Sequence, residues 1–401
     1  MMKRKGFFFI LLLALFLAGT TVIYPCSMVK ISKDGKTIVG NIEDQLNPNT
    51  RIWFETGKNG AYGAVYVGFD NLYPQGGMNT KGLVFDGFTQ SFKAQKSGAG
   101  KKSISALDLE KKIMRECATV AEVKSLLEQY DLSFLSEANL RFVDSAGKNL
   151  YVTGDELICG EESYFVQTNR RPGEKKECWR FDKATAALAT SSEATLENCR
   201  VIMEGVHQER EKNRVDTQYT TIYELTRPTV HLYYFYDFKQ EVVFDLEKEL
   251  AKGDRVLNIP ELFHDNEPGR IYHTEYNKIL TMIRNLGAPG MTDSEKSAAE
   301  LVKTVNDSFI WNGAFTYKIY HQAQFFQTEQ IDYPRAILLL KVNVSLWPKH
   351  DQSYVALARA YFLNKQFDLA LQNYSQAVAL NPANAAAAEQ VVALKKLLSG
   401  R

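Results

Sequence analysis

Apolar and polar residues alternate along much of the chain from Cys26 to about Val243, the period of strands that bury one face. Cys26 to Ile31 follows this pattern, Lys33-Asp34-Gly35-Lys36 carries the residues of a tight hairpin turn, and Thr37 to Asn41 runs back as the partner strand. Ala61 to Phe69 and Gly82 to Phe88 predict two more strands. The period then changes to that of helices at Ala106 to Cys117 and Val120 to Gln129, with Thr119 placed to cap the second. Strands return at Leu140 to Asp144, Leu150 to Thr153 and Tyr164 to Thr168, and a helical stretch runs from Ala184 into the Glu204 region. The last strands are Gln218 to Leu225, Val230 to Phe235 and Glu241 to Asp245. Runs of strands broken by helical pairs predict an α+β fold with sheets layered against helices, not regular βαβ winding.

Gly253 to Gly290 is mixed in pattern, and beyond Thr292 the chain reads as wholly helical. Tyr354, Leu357, Ala358, Tyr361, Ala370, Tyr374, Ala377 and Pro382 stand at the spacing of bulky, small and turn positions in a tetratricopeptide repeat. Alanines at those places let two antiparallel helices pack closely. Pro348 and Ala336 each lie one repeat length before Pro382 and Ala370, which marks a degenerate preceding repeat, and Asn384 to Leu398 is expected as its capping helix. This pattern speaks to structure and hardly to chemistry. It fits a pack that shields the front of the chain as well as it fits a groove for a protein partner.

Residues 1–25 are expected to be a signal peptide with a short propeptide. Lys3, Arg4 and Lys5 precede the unbroken apolar run Phe7 to Leu17, and Ala18, Gly19 and Thr20 supply small residues near a cut. The run is short for a membrane span and no stop-transfer charges follow it. The expected location is therefore exported, periplasmic or secreted. Pro25 disfavours a signal-peptidase cut directly before Cys26, so a first cut near Ala18 to Thr21 and a later trimming are expected. Ile23-Tyr24-Pro25 lacks the small residues that lipoprotein processing needs. Lysine plus arginine number 48 against 47 aspartates plus glutamates, with no basic stripe for nucleic acid. The other cysteines, Cys117, Cys159, Cys178 and Cys199, can pair in an oxidising compartment or pack as small hydrophobes, and none has zinc-site spacing.

Trimming before Cys26 would leave a residue that carries both a thiol nucleophile and a free α-amine, whose ordinary pKa of roughly 8 suits a general base. The hairpin segment Cys26 to Asp44 can bring an aspartate near that head, since neighbouring strands lie only about 5 Å apart. Three further segments stand with it: Gly76 to Phe88 (GGMNTKGLVFDGF), Gln167-Thr168-Asn169, and Cys178-Trp179-Arg180-Phe181, the last followed by Thr217-Gln218-Tyr219-Thr220. In kind and in order these resemble the motifs of the choloylglycine hydrolase and penicillin V acylase family, N-terminal nucleophile hydrolases that cut linear amide C–N bonds. The resemblance covers about Cys26 to Asp245.

It implies a four-layer αββα sandwich over residues 26–290, followed by the tetratricopeptide-like helices of 291–401. It also implies roles. Cys26 is nucleophile and base together, Asp44 binds the α-amino group, and Asn169 donates its side-chain amide to the oxyanion. The backbone N–H near Thr89 is the second oxyanion donor, and Arg180 braces the thiolate and the carboxylate network. The thioester chemistry requires no metal and no organic cofactor. Asn41 stands where bile-salt hydrolases carry arginine, which opens the question of bile-salt specificity. The expected substrate is an N-acylated small molecule, with an acyltransferase of the acyl-CoA:6-aminopenicillanate type as alternative. A third reading is a non-enzymatic, repeat-bearing adaptor, and a homo-oligomer is compatible with each. Asp86, acidic inside an apolar strand, needs a partner if buried. Trp53, Phe54, Tyr66 and Phe88 can line an acyl pocket or fill a core, and Asn79 reads as a turn former.

Overall fold

The computed structural model describes residues 26–96, 98–171, 174, 177–209 and 215–400. The leader expected over 1–25 lies outside the described residues. Among them no helix is long and apolar enough to cross a membrane.

The chain starts with a hairpin of β1 (Ser27–Lys33) and β2 (Lys36–Gln45). Its turn residues Asp34 and Gly35 both have positive φ, 51° and 72°, the backbone that lets a two-residue turn follow the twist of its strands. There follow β3 (Thr50–Glu55), β4 (Ala64–Phe69), β5 (Pro74–Asn79) and β6 (Val84–Thr89). Two helices come next, α1 (Ala106–Glu116) and α2 (Val120–Leu127). Thr119 caps α2 in a full capping box: Glu122 N–H donates to Thr119 Oγ1 at 3.3 Å, and the Glu122 carboxylate accepts from the Thr119 N–H at 2.9 Å. After them come β7 (Ala138–Val143), β8 (Asn149–Val152), β9 (Leu157–Gly160) and β10 (Tyr164–Thr168).

The single helical stretch expected toward Glu204 is two helices, α3 (Trp179–Thr190) and α4 (Leu196–Val206). The break is held locally. Thr195 caps α4, and the Asn198 side chain donates to the Ser191 and Glu193 carbonyls at 3.1 and 2.9 Å. The strands β11 (Asp216–Glu224), β12 (Thr229–Tyr234) and β13 (Asp237–Asp245), a short α5 (Leu246–Leu250) and β14 (Arg255–Asn258) complete the mixed part. Seven helices follow: α6 (Glu267–Asn285), α7 (Ser294–Asp307), α8 (Gly313–Thr328), α9 (Tyr333–Leu346), α10 (Asp351–Leu363), α11 (Phe367–Leu380) and α12 (Ala385–Ser399).

Among the described residues the strands form two antiparallel sheets, one ordered β10-β1-β2-β11-β12-β13 and the other β14-β3-β4-β5-β6-β7-β8-β9. Period-2 alternation sorts their side chains between apolar clusters. On β1, Met28 joins a cluster shared with Val65, Met78 and Val143 of the second sheet. Its neighbours Val29 and Ile31 join instead the cluster of α3 and α4, with Leu188, Ile202 and Met203. In the second sheet Tyr66, Phe85 and Phe142 pack on Leu109, Ile113 and Val123 of α1 and α2. Asn79 ties that sheet to the end of α1: its amide donates to the Met114 and Cys117 carbonyls at 2.9 and 2.8 Å while its oxygen accepts from the Lys81 and Leu83 N–H groups.

The cluster shared by the sheets continues into the helices and runs from Cys26 to Leu394. Polar contacts fasten the same junction. Tyr272 Oη donates to the Leu46 carbonyl at 3.0 Å, and Asn49 and Asn277 exchange amide bonds at 3.0 and 2.9 Å. In the helical region α10 and α11 are antiparallel neighbours, with Ala358, Ala370 and Ala377 wholly buried where they meet. Asp351 at the start of α10 accepts from Asn381 and Asn384 at 3.0 and 2.9 Å, which pins the turn into α12.

Candidate active site

The hairpin turn fixes the register of the first two strands. Lys33 pairs with Lys36 and Ser27 with Ile42, so the next residues along are Cys26 and Glu43. The Cys26 thiol donates to Glu43 Oε2 at 3.4 Å, and both residues are buried. On the other side of β1 the ladder with β10 ends at Ser27–Thr168, which leaves Asn169 as the next residue beside Cys26. Asn169 donates its side-chain N–H to the Thr89 carbonyl at 2.8 Å, across to the end of β6 in the second sheet. Cys26, Asn169 and Thr89, far apart in sequence, thus gather at one end of the two sheets.

Asp44 follows Glu43 and therefore faces the other way. Its carboxylate is fully buried and accepts from Thr217 Oγ1 at 2.5 Å, Gln208 Nε2 at 2.7 Å and Arg180 Nη1 at 3.2 Å. Arg180 comes from the first turn of α3 and also donates to Ser27 Oγ at 2.8 Å. The register shift between Thr217 and Tyr219 on β11 sets Thr217 opposite Asp44. Asp44 and Arg180 are thus brought together beneath β1, one residue from Cys26. The carboxylate that meets the thiol itself is Glu43, while Asp44 offers the sulfur its backbone N–H.

Burial pushes the Cys26 thiol well above its ordinary pKa, and the negative fields of Glu43, Asp86 and Asp44 add to that effect. Burial likewise raises Glu43 to about 8, against the hydrogen bond from Cys26. Asp44 is raised by burial, opposed by Arg180 and by the hydrogen bonds from Thr217 and Gln208. Asp86 lies on β6, and its Oδ1 accepts from the Gly87 N–H at 2.8 Å. Its carboxyl is raised strongly, first by burial and then by Glu43. Asn41 lies close enough to favour its charged form, though no well-aligned hydrogen bond joins the two side chains. With carboxyls on several sides and little solvent, the sulfur is held as a neutral thiol, and an ionised nucleophile there needs a base.

Glu43, Gln208 and the placement of Asp86 escaped the sequence reading. For Glu43 a signal existed: counting back from the Asp34-Gly35 turn puts it, not Asp44, across from Cys26. For Gln208 there was none, because it enters from the segment after α4. Trp53, Phe54, Tyr66 and Phe88 are core residues, none more than 3% exposed. A cavity of about 260 Å³ is walled by Gln90, Tyr151 and Arg171 and so borders the segments of Thr89 and Asn169; Cys26 does not line it. All five cysteines are free thiols, with Cys117 and Cys199 buried and Cys159 exposed.

No family model matches the chain, and no curated protein does. Among solved structures it is similar to the penicillin V acylase from Agrobacterium tumefaciens at 15% identity and a TM-score of 0.44, over 56% of this chain and 86% of that one.

Proposed function

We propose that the protein is a cysteine amidohydrolase that cleaves the linear amide C–N bond of N-acylated small molecules through a thioester on Cys26. The observation that carries this reading is the strand register that sets Cys26 between Glu43 and Asn169, above the buried Asp44–Arg180 pair. The motif order from Cys26 to Thr220 supports it as well. On this reading the front unit, 26–290, is a four-layer αββα sandwich, and 291–401 is a tetratricopeptide-like unit packed on it. The leader routes the chain out of the cytoplasm and is trimmed to expose Cys26.

The chemistry then follows. The α-amine freed at Cys26 takes the thiol proton, and Sγ attacks the amide carbonyl carbon. The carbonyl oxygen becomes an oxyanion that receives the second N–H of the Asn169 amide and a backbone N–H near Thr89. One such donor contributes about 3 kcal/mol to the transition state. The ammonium returns its proton to the leaving nitrogen, the C–N bond breaks, and the acyl group remains on sulfur. Water, deprotonated by the same amine, attacks the thioester carbonyl and releases the acid. Asp44 and Arg180 hold the start of β1, so the amine keeps its place relative to the sulfur.

The test pairs mass spectrometry of the purified protein's N-terminus with a panel of N-acylated substrates. Expected are a mature chain that begins at Cys26 and turnover of at least one amide, abolished in Cys26→Ala. A chain that retains Pro25 and still turns over, or equal turnover by Cys26→Ala, would falsify the proposal.

A further inference from the structure

The cavity beside Thr89 and Asn169 has in its wall a cation with no ion-pair partner among the described residues. Gln90 follows Thr89 directly and Arg171 lies just past Asn169, and both line this space of about 260 Å³. The Asn169 bond to the Thr89 carbonyl, at 2.8 Å, ties the two segments together. Arg171 folds back onto the first of them. Its Nε donates to Gln90 Oε1 at 3.0 Å and its Nη2 to the Ser91 carbonyl at 2.6 Å. Gln90 is fixed in turn: its side-chain amide donates to Tyr151 Oη at 3.0 Å and its backbone N–H to the Glu137 carbonyl at 2.7 Å. The guanidinium is therefore held beside the residues that follow Thr89, near the proposed oxyanion donors, and does not swing at its full reach.

Gln90 and Ser91 occupy one edge of the guanidinium, Nε with Nη2. The Nη1–Nη2 edge is left, and Nη1 has no partner among the described residues and is not enclosed. Such an edge presents two parallel N–H groups that match the two oxygens of a carboxylate. Glu174, close in sequence, accepts from the Arg171 backbone N–H at 3.0 Å and not from its side chain. Lys93 lines the same cavity and reaches Asp155 only at 3.8 Å. A second guanidinium, that of Arg141, lies over the Tyr151 ring at 5.5 Å; the residue is 8% exposed, and its enclosed Nε meets no acceptor. Against these stands one carboxylate in the lining, the exposed Glu156. The field in the cavity is thus positive and favours an anion. A hydroxyl or a neutral amide can accept from Arg171 but leaves its charge unmatched, whereas a carboxylate answers the charge and both N–H groups. An anion this near the oxyanion donors belongs to the part of a substrate next to the scissile bond. The carboxylate of an N-acyl α-amino acid stands there, on the carbon that bears the scissile nitrogen.

We propose that Arg171 selects N-acyl α-amino acids by binding their carboxylate in this cavity, with Gln90 and Tyr151 holding its guanidinium in place. The proposal deepens the thioester reading and rests on it for the position of the scissile amide. The test titrates the full chain as Cys26→Ala by calorimetry, so that no probe is consumed. The probes are N-acetyl-, N-octanoyl- and N-phenylacetylglycine, each paired with its glycinamide, which keeps the shape and removes the charge. At least one acid should bind roughly tenfold or more tightly than its amide. Adding Arg171→Gln should bring that ratio to about one, and Arg171→Lys, which keeps the charge without the fork, should fall between. The parent should show the same preference in kcat/KM. Acid and amide binding alike in every pair, no binding of any acid up to its solubility, or a ratio that survives in Arg171→Gln overturns the proposal. Selective binding that is lost in Arg171→Gln, with no turnover of any probe by the parent, upholds the anion site and tells against the thioester reading instead.

Discussion

The sheets and the helical region solve the same burial problem with different materials. The sheets and the helix on them bury ionisable groups: Lys30, Glu43, Asp44, Asp86 and Arg141 on strands and Arg180 on α3 are each less than 9% exposed. Among the described residues from α7 onward, the buried polar side chains are Asn343 and Ser353, and neither is charged. Each buried charge must be desolvated, and only matched partners offset that. Asp44 has such partners in Arg180, Gln208 and Thr217, which strand register and α3 bring to it. The helices instead rely on close approach through Ala358, Ala360, Ala370 and Ala377, all wholly buried. Ionisable groups thus concentrate where chemistry is proposed. Among the described residues of the helical region, the buried side-chain polar atoms without a partner are Asn343 Oδ1 and Trp347 Nε1.

The sharpest way to break this comparison is to remove one half of a buried pair. Arg180→Met leaves the Asp44 carboxylate uncompensated and should lower unfolding free energy by about 3–5 kcal/mol, measured by urea denaturation. Adding Asp44→Asn should recover much of that loss. If Arg180→Met is as stable as the parent, the charges in the sheets are not held as described.

A pH series sharpens it next. Glu110 on α1 is 4% exposed, accepts from Tyr73 Oη at 3.3 Å, and is raised by burial to about 8. A carboxyl with a raised folded-state pKa binds more protons in the folded state than in the unfolded one. Its stabilising contribution is therefore full below about pH 4.5, the unfolded value, and is lost as pH rises through about 8. A shift from 4.5 to about 8 corresponds to a loss on the order of 5 kcal/mol. Glu110→Gln, neutral throughout, should flatten the fall of thermal midpoint between these pH values. An unchanged slope would show that Glu110 is not held protonated. The smallest effect lies in the helices. Ala358→Leu adds volume where α10 meets α11 and should cost about 1–3 kcal/mol by overpacking, with little dependence on pH.

Local signals in the sequence were read correctly where a few adjacent residues decide the conformation. The Asp34-Gly35 turn, the Thr119 cap and the span Tyr164–Thr168 needed nothing from elsewhere in the chain. The strands β3, β5, β9 and β14 were missed, and β5 shows why. Its sequence, Pro74 to Asn79, contains two glycines and a proline, poor strand formers in isolation. It is a strand because β4 and β6 flank it closely; a Cβ on Gly77 would lie 2.5 Å from the Val65 carbonyl oxygen. The candidate site was legible in part. Cys26, Asn169, Thr89, Asp44 and Arg180 were named from their motifs, and the fold brings them to one end of β1.

By itself, then, the sequence determined the chain's change of period from strand to helix, its turns and caps, and the residue types able to do thiol chemistry, because these depend on neighbours a few positions away. Only the tertiary structure decided which carboxylate touches the sulfur, which face Asp44 takes, and that Trp311 and Trp347 meet edge to face in the helical region. Those outcomes follow from strand register and helix packing, which join residues more than a hundred positions apart at the front and set one helix turn against another at the back.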